Sequence, residues 1–198
     1  MDRRAFLKGL GLFGVLLVTG CGSLTKTAES VHAETASANG KSGGNAGGKI
    51  LIAYYSQKGH TRAAAQRIQA LTGGELFEIK PADPYPEDHD PCLDRQLKEI
   101  ESNARPALAA KVENIGQYDT VFIGYPIWYY QAPMVLNTFV EQHNLAGKTI
   151  MPFCTSGGFG VEQSVEVLKK LAPQGNWQVG LRVTGDDDKL KAWLKKIG

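Results

Sequence analysis

Residues that can donate hydrogen bonds surround one glycine in a short stretch of the chain. The stretch comprises Ser56, Gln57, Lys58, Gly59, His60, Thr61 and Arg62. Hydroxyl and cationic side chains, placed beside the unpaired backbone N–H groups at the start of a helix, form a binding site for an anion. The stretch therefore predicts phosphate binding; a plain strand-to-helix turn in which Thr61 caps the helix is the simpler alternative.

The segments on either side of this stretch are those needed to position it. Ile50 to Tyr55 is an almost unbroken apolar run, which is typical of a strand buried on both faces of a parallel sheet. Beyond the loop, Ala64, Ile68 and Leu71 follow helical spacing. A strand, a loop and a helix in this order place the donors at a helix N-terminus.

A second loop exposes three aromatic rings, those of Trp128, Tyr129 and Tyr130. It follows a predicted buried strand, Tyr118 to Gly124, and begins with Tyr125, Pro126 and Ile127. A flat ring system stacked on Trp128 or Tyr129 would explain aromatic side chains at a loop. Packing against the loop around Tyr85, or a dimer contact, is the alternative.

A third loop combines hydroxyl groups with glycine. It follows the predicted strand Gly147 to Cys154, and its residues are Thr155, Ser156, Gly157, Gly158 and Phe159. Glycine lets a ligand approach the backbone closely. The alternative is a plain turn into the next helix, predicted over 161–171.

The remaining segments continue an alternation of strands and helices. They are strand 75–80, a proline-rich loop 81–91, surface helix 93–102, a helix that buries Val135, Phe139 and Val140, strand 177–183, and a last helix that begins at 186–188. The alternation predicts an α/β, doubly wound fold of three layers, with a five-stranded parallel sheet of order 2-1-3-4-5. In such a sheet a ligand lies beyond the carboxyl ends of the strands, where all three loops fall.

Together, the three loops resemble the flavin-binding loops of the flavodoxin family. Ser56, Gly59 and Thr61 match the family's phosphate loop, Thr/Ser-x-Thr-Gly-x-Thr, and Lys58 stands where the family usually has a hydroxyl. The Pro-Ile-Trp-Tyr and Thr-Ser-Gly-Gly motifs are similar to those of one subgroup, and the resemblance spans Lys49 to Gly198.

This resemblance implies a flavodoxin-like fold that binds flavin mononucleotide (FMN) without a covalent link. By the same resemblance, residues 56–62 hold the phosphate, Pro126 to Tyr129 cover the isoalloxazine, and Thr155 to Phe159 line its other edge. The function implied is electron transfer to a redox partner protein or a small acceptor, which needs no catalytic residue from the chain.

Two other functions stay open. One is an NAD(P)H-dependent quinone reductase, in which Tyr129, Tyr130 and Phe159 form a second ring-binding surface. The other is a binding domain that keeps the fold without a flavin, since fold alone does not determine function.

Composition excludes some classes of function. Of the 198 residues, 42% are hydrophobic and 21% charged, and the net charge is +2. From Lys49 on, 17 basic residues balance 17 acidic ones, so no basic block predicts nucleic-acid binding. This neutrality differs from the strong acidity by which flavodoxins dock on basic partners. The three cysteines and four histidines are scattered and predict no metal site; whether Cys92 and Cys154 pair stays open.

The first 48 residues read as an export leader and a tether. Residues 1–21 have paired arginines, Arg3 and Arg4, which resemble a twin-arginine export signal, and an apolar centre. They end in a sequence that resembles a lipobox, with Cys21 as the lipidated residue. An ordinary N-terminal membrane anchor is the alternative. Residues 22–48 have the composition of a disordered linker. We therefore expect residues 49–198 to form one domain, lipid-anchored at the periplasmic or other extracytoplasmic face of a membrane.

Overall fold

The computed structural model describes residues 48–197. The predicted signal sequence with Cys21, and the predicted tether as far as residue 47, lie outside the described residues. Within 48–197, no helix is long and apolar enough to cross a membrane.

Strands and helices alternate along the described chain, as the sequence pattern predicts. The elements are β1 Ile50–Tyr54, α1 His60–Thr72, β2 Glu75–Glu78, α2 His89–Glu101, β3 Thr120–Pro126, α3 Val135–Gln142, β4 Thr149–Thr155, α4 Glu162–Leu171, β5 Asn176–Trp177, β6 Leu181–Arg182 and α5 Asp187–Leu194. Asp186 caps α5, because its carboxylate accepts hydrogen bonds from the backbone N–H groups of Asp188 and Lys189.

The strands form one parallel sheet in the order β2-β1-β3-β4-β5, and β6 also pairs with β4. This confirms the predicted doubly wound order. Two separate apolar clusters cover the two faces of the sheet: α1 and α5 pack on one, and α2, α3 and α4 on the other. β1, β3 and β4 are buried on both faces, which explains their continuous apolar runs.

The prediction of one continuous strand over 177–183 is wrong, because the structure has two short strands there, β5 and β6. Gln178 N donates to Ile150 O at 2.9 Å, and Val183 N donates to Cys154 O at 2.8 Å. Between these two hydrogen bonds, the edge strand contains one residue more than β4 does. Pro152 lies between the two acceptors and has no N–H to donate to the edge strand. The ladder breaks there, and the extra residue forms a bulge that divides the strand into β5 and β6.

One helix prediction also needs correction. α2 begins at His89 rather than 93, because Pro91 lies in its first turn, where a proline loses no helical hydrogen bond. Leu71, the third apolar residue of the helical spacing that predicts α1, is 46% exposed, whereas Ala64 and Ile68 are buried. Helical spacing at the last turn of a helix does not guarantee a neighbour to pack against.

His143 joins the end of α3 to the segment before β3. Its Nδ1–H donates to Phe139 O at 2.7 Å, and its Nε2 accepts from Val112 N–H at 3.1 Å. The ring is buried, and a ring nitrogen that accepts a hydrogen bond must be unprotonated. The folded chain therefore holds a neutral histidine here.

We expect His143→Gln to flatten the dependence of the unfolding free energy on pH. Burial lowers the pKa of His143 below its ordinary 6.5, and Lys111 adds to this, against the opposing hydrogen bond to Phe139. As the pH falls, His143 therefore binds a proton in the unfolded chain before it does so in the folded chain. The stability that neutral His143 contributes is complete above about pH 6.5 and is lost as the pH falls below it. Denaturant titrations from about pH 8 to pH 5 measure the slope. Parallel curves for parent and variant would contradict the prediction.

Candidate functional site

One cavity of about 630 Å³ lies at the carboxyl ends of β1, β3 and β4. It brings together parts of all three predicted loops: Ser56, Gln57, Lys58, His60, Thr61, Pro126, Ile127, Trp128, Thr155, Ser156 and Gly157. The other residues singled out from the sequence do not line it: Gly59, Arg62, Tyr129, Gly158 and Phe159.

Gly59 makes the turn from the first loop into α1. Its φ is +86°, in the left-handed region that glycine adopts without strain, and its carbonyl accepts the first bond of the helix from Ala63 N at 2.9 Å. Ser56 Oγ accepts from Arg62 N at 3.2 Å. Within residues 48–197, no acceptor meets the N–H groups of Gly59, His60 and Thr61, which are therefore available to donate to an anion.

The alternative interpretation of the sequence, in which Thr61 caps α1, is wrong. The cap position is Gly59, with no side-chain cap, and Thr61 lies inside the first turn. Its hydroxyl instead forms a 2.8 Å hydrogen bond with the hydroxyl of Thr155, and only 1% of the residue is exposed. Thr61 thus ties the first loop to the third at the wall of the cavity.

The three basic residues of the first loop, Lys58, His60 and Arg62, have different surroundings. Lys58 and His60 are exposed and line the cavity. The guanidinium of Arg62 pairs with Glu78 on β2 and lies outside the cavity wall. Arg67, five residues further along α1, lines the cavity and donates hydrogen bonds to Thr184 O at 2.5 Å and to the carboxylate of Asp187. Positive charge at the cavity therefore comes from Lys58 and Arg67, and Arg62 is engaged elsewhere.

Trp128 belongs both to the cavity wall and to a cluster of rings. Its ring meets Tyr85 edge-on at 5.2 Å between centroids and Tyr55 at 5.7 Å. Packing against the Tyr85 loop, which was the alternative to a ligand-binding role, is therefore present in the structure. Trp128 also lines the cavity, so this packing is compatible with a ligand-binding role, which stays a prediction.

Tyr129 and Tyr130 form the tip of a tight hairpin turn. Trp128 and Gln131 exchange both backbone hydrogen bonds at 2.9 Å, and the two tyrosines have φ of +47° and +63°. Positive φ at both central residues defines a type I′ turn, which bulky residues adopt only with strain. Both side chains are exposed, and Tyr130 packs edge-on against exposed Phe159 at 4.5 Å. These rings form an aromatic surface outside the cavity wall.

The third loop closes the cavity from the side of β4. Ser156 Oγ donates a hydrogen bond to Phe159 O, which holds the loop in a tight bend. A Cβ at Gly157 or Gly158 would meet no heavy atom of the chain within 4 Å. Gly157, which lines the cavity, therefore leaves open space at this wall.

Sequence reasoning missed three parts of the cavity wall, of which the first is the face of α1 that carries Ala63, Ala64 and Arg67. The α2 side supplies Glu87, His89, Cys92 and Leu93, and the turn after β6 supplies Val183, Thr184 and Gly185. The Pro-Tyr-Pro segment before α2 was the available signal for the α2 side.

Cys92 and Cys154 are both free, and burial raises the pKa of both thiols, that of Cys154 to about 12. Within residues 48–197, no group of three or more His, Cys, Asp or Glu is placed to hold a metal ion.

Comparison with known proteins gives one family and several related structures. The family model described as flavodoxin matches residues 49–197. No curated protein matches the chain significantly.

Three solved structures illustrate the likeness. A protein from Bacteroides eggerthii DSM 20697, classed as a flavoprotein, is 46% identical, with a TM-score of 0.70 over 76% of this chain and 98% of its own. One from Bacteroides uniformis ATCC 8492, classed likewise, is 37% identical, with a TM-score of 0.67 over 75% and 99%. A flavoprotein from Lactobacillus acidophilus NCFM, solved in complex with FMN, is 26% identical, with a TM-score of 0.64 over 74% and 99%.

Proposed function

Because this chain belongs to the flavodoxin family, we propose that it binds FMN in the cavity at the carboxyl ends of β1, β3 and β4 and transfers electrons through it. The observation that carries the proposal is the convergence of the three loops on one cavity. Support also comes from the relative in Lactobacillus acidophilus, whose structure contains FMN.

The residues at the start of α1 fit a phosphate. Three backbone N–H groups, those of Gly59, His60 and Thr61, have no acceptor within residues 48–197. They lie at the positive end of the helix dipole, and Lys58 adds a full positive charge at the cavity wall. We assign the phosphate of FMN to the start of α1, where the three backbone N–H groups hold it. Lys58 attracts the phosphate by its charge, and salt screens this attraction.

The opposite part of the cavity fits a flat, largely apolar ring system. Pro126, Ile127 and Trp128 supply apolar wall, and Ser156 supplies a hydroxyl at its edge, while Thr155, bonded to Thr61, lies between this part and the start of α1. A volume of about 630 Å³ lies within the range of about 300–1,000 Å³ usual for small-molecule sites. Bound FMN supplies the one-electron and two-electron chemistry, and the chain's residues bind and orient it and limit its access to water.

A second candidate function is supported by the exposed aromatic surface. Tyr130 and Phe159 are each 53% exposed, pack against each other and lie on the two loops that form the ring end of the cavity. A nicotinamide or a quinone ring could stack there. An NAD(P)H-dependent quinone reductase is therefore the enzyme that this surface supports.

The purified chain tests both functions. We expect it to be yellow and to release FMN, identified by mass, when it is denatured. A colourless chain that also fails to bind added FMN would refute both functions and favour a flavin-free binding domain. Steady oxidation of NADH or NADPH with an added quinone would favour the reductase over a pure electron carrier.

We also propose that the domain is held by a lipid at an extracytoplasmic membrane face. The support is the sequence pattern around Arg3, Arg4 and Cys21, which lies outside the described residues. When both are expressed in a bacterium, we expect labelled palmitate to enter the parent chain and not Cys21→Ala. Equal labelling of the two would contradict the assignment of Cys21.

A further inference from the structure

The chain before α2 forms a strap that lies behind the cavity wall and packs against Trp128, which lines the cavity. We define the Tyr85 strap as residues 83–86. Arg95 Nη2 donates to Asp83 O at 3.0 Å and Nη1 donates to Pro84 O at 2.9 Å, while Gln57 Nε2 donates to Pro86 O at 2.7 Å. The strap is therefore fixed to α2 at one end and to the first loop at the other.

Tyr85 is held in this strap by two charged residues one turn apart on α2. Its hydroxyl donates to Glu99 Oε2 at 2.6 Å, and Arg95 Nε donates to Glu99 Oε1 at 2.8 Å. The Arg95 guanidinium also lies 4.4 Å from the centre of the Tyr85 ring. Tyr85 is 4% exposed and Glu99 9% exposed, so a buried carboxylate has both of its oxygens satisfied in holding one ring.

The Tyr85 ring meets the aromatic wall of the cavity. Tyr85, Tyr55 and Trp128 form a three-ring cluster with centroids 5.2 to 5.7 Å apart and interplanar angles of 63° to 83°. Of the three rings, Trp128 alone lines the cavity. Edge-on contacts of this kind fix the tilt of a ring as well as its position.

α2 also holds the chain on the far side of Trp128. Gln96 is fully buried; its Nε2 donates to Ala132 O and its Oε1 accepts from Met134 N, both at 3.2 Å. The same helix thus secures the Tyr85 strap through Arg95 and Glu99, and the segment after the Trp128 turn through Gln96.

We infer that Tyr85 is a positioning residue, held by Glu99 and Arg95, which sets the orientation of the Trp128 ring against the flavin. This inference rests on the proposed function, because the effect on binding requires that Trp128 contact FMN. The orientation of Trp128 itself does not depend on a cofactor, so it is tested separately.

Fluorine NMR of the full-length chain, labelled with 5-fluorotryptophan and freed of cofactor, tests the orientation of Trp128. The three tryptophans of the sequence give three resonances, and the resonance lost in Trp128→Phe is that of residue 128. We expect Tyr85→Leu, which removes the ring, to shift this resonance most, and Tyr85→Phe, which removes only the hydroxyl, to shift it less.

Tyr118→Phe is the matched control. Tyr118 is also 4% exposed and donates its hydroxyl to a glutamate, Glu75, but it lies at the amino end of β3, opposite the cavity. We expect this variant to leave the Trp128 resonance in place. An unmoved Trp128 resonance in both Tyr85 variants, or an equal shift in Tyr118→Phe, would overturn the inference whether or not the chain binds FMN.

A double-mutant cycle with FMN tests the effect on binding. We expect Tyr85→Leu to weaken FMN binding about threefold to tenfold when Trp128 is present, and less than about twofold in the Trp128→Ala background. The second effect is smaller because Tyr85 acts through the Trp128 ring, which that background lacks. An equal loss in both backgrounds would show that Tyr85 acts by another route. Failure of the parent to bind FMN would refute the proposed function, and the NMR result would still decide the role of Tyr85. If Tyr85→Leu does not fold, Tyr85→Phe takes its place in the cycle with a smaller expected effect.

Discussion

Gly59→Val should weaken FMN binding by at least about tenfold and leave riboflavin binding within about twofold. The φ of Gly59 is +86°, which costs an L-residue about 1–2 kcal/mol, and a β-branched side chain adapts to it worst. A Cβ here would meet no heavy atom within 4 Å, so strain rather than collision moves the backbone. The movement displaces the N–H groups assigned to the phosphate, a group that riboflavin lacks. Titration with each flavin, followed by fluorescence quenching, measures the two affinities.

Gly73→Val is the matched control, because Gly73 has φ +72° and an equally open Cβ position but lies at the other end of α1. We expect it to destabilise the fold without distinguishing the two flavins. Gly59→Asn, whose residue type tolerates positive φ, should bind FMN more tightly than Gly59→Val. If Gly59→Val weakens both flavins by the same factor, the start of α1 is not the phosphate site.

Trp128→Ala should weaken FMN and riboflavin by the same factor, about tenfold. Trp128 supplies ring surface at the cavity wall, away from the start of α1, so its loss acts on the part that the two flavins share. One aromatic pair contributes about 0.5–1.5 kcal/mol beyond its buried area, and about 1.4 kcal/mol corresponds to tenfold. The same pair of titrations therefore separates ring binding from phosphate binding.

Trp177→Ala controls for the loss of a large ring. Trp177 is half-buried and donates its Nε1–H to Ala172 O at 2.8 Å, but it pairs with Ile150 near the amino end of β4, away from the cavity. We expect this variant to lose stability and keep its affinity for both flavins. Unchanged affinity in Trp128→Ala would show that Trp128 serves only the packing with Tyr55 and Tyr85.

The sequence predicted the sheet and the three loops because both are encoded locally. Apolar runs such as Ile50–Tyr54 identify strands buried on both faces, and the alternation of strands with helices leaves few arrangements for a parallel sheet. Glycine at position 59 is compatible with a left-handed turn because of its conformational freedom, and its φ in the structure is +86°.

The break in the last strand was not predictable from that strand itself. Residues 177–183 read as one strand, and the interruption arises from Pro152 on the neighbouring strand, which has no N–H to donate. Pairing with a neighbour is a property of the sheet, which periodicity within one segment does not report.

The three loops of the candidate site were therefore determined by the sequence alone, since turn chemistry and strand ends are local properties. Which side chains face the cavity was decided by tertiary structure. Thr61 bonds to Thr155, 94 residues away, and Arg62 turns to Glu78 on β2. The role of α2 was hidden for the same reason: its charged residues indicate a surface helix, but Glu99 is buried because Tyr85 and Arg95 satisfy its carboxylate. A charged side chain can be buried only where partners meet it, and those partners are brought together by the fold.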